Sequence, residues 1–527
     1  MIRILVFVFL SLFISAGMKA EPEASPPKAS PSVVHPSIGE TVTTSDGKVK
    51  ITLVGKKQSY GGGSDTYDAS INSPKSVHIH PGGKKYYVNS LEGCATVSYD
   101  FATNEKLKVI RHSFDGERDA ALWSQPSGLF PWKHYSKDIN TFTGKPVEST
   151  YSHDGAYLWV PYYRRSFDIN AQDPSAVAII DTATDSIVRL METGPLPKMI
   201  TTSPDGTIVA ISHWGNNTVG LIDISSDNPK DWKYICKLVV DYELKLDYPL
   251  DRSVDRDNGS GYALRGTVFT PDNKYLLVGC MGGSGGIAVI DIPQRKYLGR
   301  VLGMLPNVRH LVLSNGYLYL SINAAGKVQR IPLKTFLAAV EKMKGKTTTL
   351  SGWETTSVGK GARTISLTPN GRYVFAACNT ASAIYIVDTQ TMQAIGHIPA
   401  DSYPVGLDIS SDGRYVFSTS QGRNHSGGNC VDIYEVEYQD DVTKKGCIAC
   451  GGTMNDSGTA CTSCGLRLKD DVTEAAPPAQ SIPAEPVESQ PTADYTIIVA
   501  AAAAALALLA LLFFVARRNR KNRLTPQ

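Results

Sequence analysis

One turn occurs seven times in this chain: "HPGGKKYYV" (80–88), "HDGAYLWV" (153–160), "SPDGTIVAI" (203–211), "TPDNKYLLV" (270–278), "SNGYLYL" (314–320), "TPNGRYVFA" (368–376) and "SSDGRYVFS" (410–418). Each copy sets Pro, Asp, Asn or Gly ahead of an alternating or apolar run. Proline presets a turn dihedral, and Gly or Asn takes the left-handed position. A short apolar run such as "RTISL" or "VGLDI" precedes the turn, so each copy reads as a hairpin. After most hairpins comes a third run closed by an acid ("TVSYD", "AVAIID", "TVGLID", "IAVID", "AIYIVD", "CVDIYEVE"), and turns such as "DTATDSIVRL" lead to a fourth. Four short strands per unit make the blade of a β-propeller. The aligned positions Gly83, Gly155, Gly206, Asn273, Gly316, Gly371 and Gly413 lie 42 to 72 residues apart. The shortest spacing is a bare blade, and the longer ones carry insertions.

The seventh unit is short of a strand, because "VDIYEVEY" runs straight into a cysteine-rich segment. "KVKITLVGKKQ", Lys48 to Gln58, is strand-like and precedes the first hairpin. It is expected to supply that strand and close the ring, which removes an exposed edge. The expected fold is all-β: a seven-bladed β-propeller with four-stranded blades over residues 48–437. A β-sandwich would not repeat one turn motif seven times.

"SPDGTIVAISHWGNNTVGLIDIS" and "TPNGRYVFAACNTASAIYIVDTQTMQAIGHI" resemble the YVTN-repeat β-propellers, over roughly residues 48–437. That resemblance implies the ring and an extracytoplasmic setting. Ring-shaped relatives include lactonases and cofactor-dependent dehydrogenases, so the fold decides little about function.

The ends suggest topology. Residues 1–20, "MIRILVFVFLSLFISAGMKA", read as a secretory signal peptide. Residues 495–516 are free of charge and long enough for a transmembrane helix across a ~30 Å hydrocarbon core. The basic tail 517–527, opening "RRNRKNR", is expected to stay cytoplasmic. Residues 21–47 and 469–494 are rich in Pro, Ser, Ala and Glu and read as a disordered linker and a Pro-rich stalk. The expectation is a single-pass membrane protein with an extracellular or periplasmic ectodomain. The chain carries 53 basic and 50 acidic residues, a net charge of +3. That balance gives no field for a nucleic-acid partner.

In a propeller, the loops between blades open on one face and the Pro-Asp-Gly turns on the other. The insertions Arg111–Val147, Ser225–Leu264 and Pro332–Ala362 read as inter-blade and should crowd the first face. The third holds "LKTFLAAVEKMKG", apolar at helical spacing, read as a packed lid. The innermost strands begin on that same face. Reading one column of strand starts gives Lys75, Glu148, Lys198, Arg265, Arg309, Arg363 and Val405. Five cations of the seven would converge on the central channel, where a low-dielectric funnel strengthens their field. They favour an anionic guest, a carboxylate, phosphate or sulfated sugar, for which arginine's planar fork is suited. Pairing with carboxylates of neighbouring blades is the alternative.

Catalytic motifs are absent from the sequence. There is no His-Glu-x-x-His, no Gly-x-Ser-x-Gly elbow and no phosphate-cradling loop. Cys-x-x-Cys-His is missing too, so no haem or nucleotide is expected. His78, His80, His153 and His310 fall on or beside innermost strands and read as satisfied polar groups. Asp173, Asp251, Asp255 and Asp257 fit no standard calcium loop.

Five cysteines, Cys94, Cys236, Cys280, Cys378 and Cys430, are scattered through the ring and read as small apolar residues. The other four, Cys447, Cys450, Cys461 and Cys464, form two Cys-x-x-Cys-Gly knuckles within residues 447–468. They resemble a short zinc ribbon, although the usual Pro after the first Cys is missing from both. The resemblance implies a closed structural zinc site. Two disulfides are the alternative in an oxidising compartment.

The reading that results is a membrane-anchored binding or scaffold module for an anionic small molecule, glycan or protein partner. A lactonase-like hydrolase using the same funnel and a structural envelope protein are the alternatives.

Overall fold

The computed structural model describes residues 33–60, 65–256, 258–343, 347–422 and 427–468. The expected signal peptide, stalk, membrane helix and basic tail lie outside these residues, as does Asp257. Among the described residues no helix is long and apolar enough to cross a membrane.

Among the described residues seven sheets form a propeller, antiparallel except for the short edge pairing of Val301–Leu302 with Thr348–Thr349. The innermost strands are, blade by blade, Pro74–Ile79, Thr150–Ser152, Pro197–Thr202, Leu264–Phe269, Val308–Ser314, Ala362–Leu367 and Pro404–Ile409. Each leads through its repeated turn into a second strand, for example Ile208–His213 in blade three and Tyr373–Cys378 in blade six. All seven aligned turn positions have positive φ, from 57° at Asn273 to 96° at Gly155. That is why the motif spells Gly or Asn there. Apolar side chains alternate into the gaps between blades. Trp159, Val177 and Ile179 of blade two meet Ile200, Val209 and Ile211 of blade three, all essentially buried.

The ring closes as expected. Val49–Gln58 pairs antiparallel with Cys430–Tyr438, from Val49 opposite Tyr438 to Gln58 opposite Cys430. A buried ion cluster pins this closure: Lys56 Nζ lies 2.5 Å from Asp401 and 2.6 Å from Asp432.

Three expectations need correction. Within the expected linker 21–47, residues 33–47 are packed on the ring. Val34 N donates to Ser402 Oγ at 2.8 Å, and Thr41–Thr43 adds a strand to blade seven. Their polar composition conceals an edge strand that pairs through its backbone and adds side-chain contacts from His35, Val42 and Ser45. Blades are not uniformly four-stranded, since blades two, four and seven carry extra strands. The third insertion is not inter-blade. The helix Leu333–Glu341 lies between the third strand of blade five, Lys327–Pro332, and its fourth, Glu354–Ser357. It therefore sits on the turn face, where Leu333 N donates to Gly316 O at 2.7 Å. That fourth strand reads "ETTS", with one buried residue, so its sequence gives no apolar alternation to reveal it. Leu333, Phe336 and Val340 are buried in the core of blades four and five, so the helix is a packed element but no lid over the funnel.

Candidate functional site

The strand starts that line the channel share a backbone device. In six of the seven blades the innermost strand carries one extra residue against its partner at the column position: Lys75, Lys198, Arg265, Arg309, Arg363 and Val405. A β-bulge re-aims the side chain it carries. Two residues earlier, each of these strands is entered through a left-handed residue: Ser73, Leu196, Ala263, Asn307, Gly361 and Tyr403, with φ between 47° and 79°. Non-glycine residues in this region are strained and cluster at functional sites. The carbonyls freed at the bulges are satisfied from the preceding blade. Ser212 Oγ donates to Arg265 O at 3.3 Å and Ser321 Oγ to Arg363 O at 2.5 Å.

Of the five predicted cations, Lys75, Lys198, Arg309 and Arg363 line one cavity of about 600 Å³ at the inter-blade face. Lys198 Nζ stands 4.0 Å from the Tyr163 ring centroid and 5.3 Å from that of Trp214. Arg309 lies 6.0 Å from the Trp214 centroid. Arg265 is the exception. It donates to Glu148 Oε1 at 2.8 Å, and both side chains are buried. Burial by itself would raise the Glu148 pKa, but Arg265, Lys75, His78 and Arg363 hold it below the usual range. Arg265 is thus paired with Glu148, and the other four basic residues of the column line the cavity. Two further cations escaped the sequence reading. Arg164, at the end of the second strand of blade two, and Lys145, in the first insertion, also line the cavity. The "RR" doublet closing "YLWVPYYRR" was the available signal. Lys145 is paired with Glu92 at 2.5 Å.

Along the channel on the turn side is a second cavity of about 320 Å³, bordered by Ser76, His78, Glu148, His310 and Asp408. Burial pushes His78 and His310 down to about 4, so both are neutral at neutral pH. His78 Nε2 accepts from Ser149 N at 3.1 Å, and His310 Nδ1 from Ile365 N at 3.4 Å. His80 meets Gly155 O at 3.1 Å, and His153 stacks on Trp232. Asp173 accepts from His134 N and Tyr135 N and so anchors the aromatic insertion.

A model of the lactonase seven-bladed β-propeller matches residues 157–442, just over half of the chain. The chain belongs to the lactonase seven-bladed β-propeller family. The match runs from the second strand of blade two to beyond the last strand of blade seven. This lactonase-family propeller is 34% identical over 80 residues to a 6-phosphogluconolactonase of Serratia proteamaculans, covering 14% of the chain and 23% of that protein. It is 22% identical over 265 residues to Antigen Lp49 of Leptospira interrogans, covering 47% and 51%. The chain thus spans about half or less of these curated relatives. Among solved structures, hydrazine synthase of Kuenenia stuttgartiensis superposes with a TM-score of 0.49 at 14% identity, over 72% of this chain and 99% of that one.

On the turn face, Cys447, Cys450, Cys461 and Cys464 bring their four sulfurs within 4.8 Å of one another. Sγ of Cys447 lies 3.7 Å from that of Cys464, and Cys450 lies 3.6 Å from Cys461. Those separations exceed an S–S bond and approach the ~3.8 Å edge of a tetrahedron with 2.3 Å metal–sulfur bonds. Gly452 N and Ser463 N each donate to a sulfur at 3.3 Å, which suits thiolates. Gly451 and Gly465 both have φ of 74°, so each knuckle turns through a left-handed glycine. The group could hold a metal ion. The module is docked on the ring: Gly316 N donates to Ile448 O at 3.0 Å, and Ile448 packs against the core of blades four and five. Cys280, Cys378 and Cys430 are buried, while Cys94 and Cys236 are partly exposed.

Proposed function

We propose that this propeller binds an anionic small molecule, or the anionic group of a glycan or protein partner, in the funnel on its inter-blade face. The observation that carries the reading is the convergence of Lys75, Lys198, Arg309 and Arg363 on one cavity, with Arg265 already neutralised by Glu148. Basic side chains gathered at a low-dielectric wall select negative charge. The charge-free stretch 495–516 and the basic tail support placing the ring outside a membrane as a tethered module. The spacing of the four sulfurs supports a structural zinc remote from the funnel.

A second reading is hydrolysis of an anionic lactone in the same funnel. The family match and the segment shared with 6-phosphogluconolactonase favour it. Calorimetric titration of the full chain in detergent with citrate and phosphate tests binding. Arg309→Gln and Arg363→Gln should each weaken it about ten-fold, whereas absence of any anion binding overturns the reading. Turnover on a panel of sugar lactones separates the enzyme from the binder.

A further inference from the structure

Lys75 is the buried lysine of the column, Lys198 being only partly buried. It is 4% exposed, yet it borders the 600 Å³ cavity. Its closest charged influences are Arg363, Arg265, Glu148 and Lys198, three cations and one carboxylate. That carboxylate already accepts from Arg265 at 2.8 Å. The bulge between Pro74 and Ser76 turns this amine inward, while Ser76 Oγ is bound to Val147 O at 2.7 Å.

An ammonium largely withdrawn from water and set among positive charges is held in the wrong protonation state. Burial first, and then Arg363 and Arg265, push the Lys75 pKa well below the usual lysine range. Desolvation and a neighbouring cation are the two devices that turn a lysine into a nucleophilic amine. A free amine facing a cavity that collects anions has a natural counterpart in a compound bearing both a carboxylate and a carbonyl.

We propose that Lys75 is a covalent capture point, forming an imine with a small anionic carbonyl compound such as a 2-oxo acid or an aldehyde acid. This rests on the anionic reading of the funnel. In the step, the Lys75 nitrogen lone pair adds to the carbonyl carbon. The C–O π electrons go to oxygen, which takes up a proton. The carbinolamine then expels that oxygen as water, carrying away both amine protons, and a C=N bond is left. No oxidant or reductant is consumed. Lys198, Arg309 and Arg363 hold the carboxylate while the carbonyl reaches the amine.

The test is reductive trapping. The full chain in detergent is incubated near neutral pH with glyoxylate, or with the neutral propanal, in the presence of cyanoborohydride, and labelled lysines are mapped by peptide mass spectrometry. The expected result is glyoxylate labelling of Lys75 about ten-fold faster than of surface lysines, with little preference for Lys75 from propanal. Citrate should protect Lys75, and Lys75→Arg should lose the site while keeping the melting temperature. Equal labelling of Lys75 by both aldehydes would overturn the anionic reading and the assigned ligand class with it. Labelling of Lys75 no faster than of surface lysines, with citrate binding still detected by calorimetry, would overturn the imine and leave the anion site standing.

Discussion

The Arg265 guanidinium donates to Glu148 Oε1 at 2.8 Å, joining the entry to blade two with blade four across the central channel. Both residues are nearly inaccessible, at 3% and 8%. Glu148 is the one acid in a column of strand starts otherwise occupied by Lys, Arg and Val. It is the counter-charge that lets Arg265 and Arg363 be buried beside Lys75.

Glu148→Gln leaves those cations uncompensated. Removing one partner of a buried pair costs about 3–5 kcal/mol. The variant should therefore unfold at a lower temperature, and Glu148→Gln combined with Arg265→Met should recover most of the loss. Thermal denaturation of the single and double variants measures both. An unchanged melting temperature in the single variant refutes the role.

The closing strand depends on Lys56. Burial works against its ammonium, but Asp432 and Asp401 hold its pKa above the ordinary lysine value. Lys56→Met leaves two buried carboxylates facing each other, at a cost of about 3–5 kcal/mol. Hydrogen exchange should accelerate first in Val49–Gln58 and Cys430–Tyr438, before the strands of blades three and four. Uniform acceleration across the blades contradicts this.

Asp408 should make stability depend on pH. It is buried, and burial raises its pKa from 3.8 to about 6, although N–H groups of Ile79 and Ile409 oppose the shift. A raised acid contributes its stability fully below the unfolded value and loses it as pH rises through the folded one. Between pH 4 and 6 this group should therefore cost at most about 3 kcal/mol as pH increases. His78 and His310, both lowered to about 4, run the other way: their contribution is complete above 6.5 and is lost as pH falls. The readout is the difference between Asp408→Asn and wild type, which should shrink the downward slope from pH 4 to 6. Parallel melting profiles refute it.

The four-sulfur module should carry one zinc per chain by elemental analysis. Removing it with a chelator should free Ile448 from the blade-five core and expose the segment after Tyr438. A protease should then cut within residues 439–468 while the ring stays intact. Cys461→Ser should show the same pattern without chelator. Full protease resistance in the chelated protein contradicts a metal-held fold.

The ring, its blade number and its closure were legible in the chain itself. A turn that demands positive φ leaves Gly or Asn in place, and seven such marks locate seven blades. The column of basic strand starts could also be read, because every blade repeats the same offset from its turn. What each cation does was not legible. Arg265 and Arg363 stand at equivalent positions, yet one meets Glu148 and the other borders the cavity. That division depends on which side chains the closed ring brings across its axis. The bulges and left-handed entries escaped as well, since Ser73, Leu196, Ala263 and Tyr403 carry no residue preference that announces such a conformation. The strand "ETTS" and residues 33–47 are held by backbone pairing and by polar side-chain contacts such as Thr355 with Gln329 and His35 with Asp401, which no apolar pattern announces. Local sequence therefore determined which elements form and in what order. Only the tertiary structure decided which charges are neutralised, which face the cavity, and that the cysteine module is docked on the turn face, because those outcomes depend on distances between blades that closure alone sets.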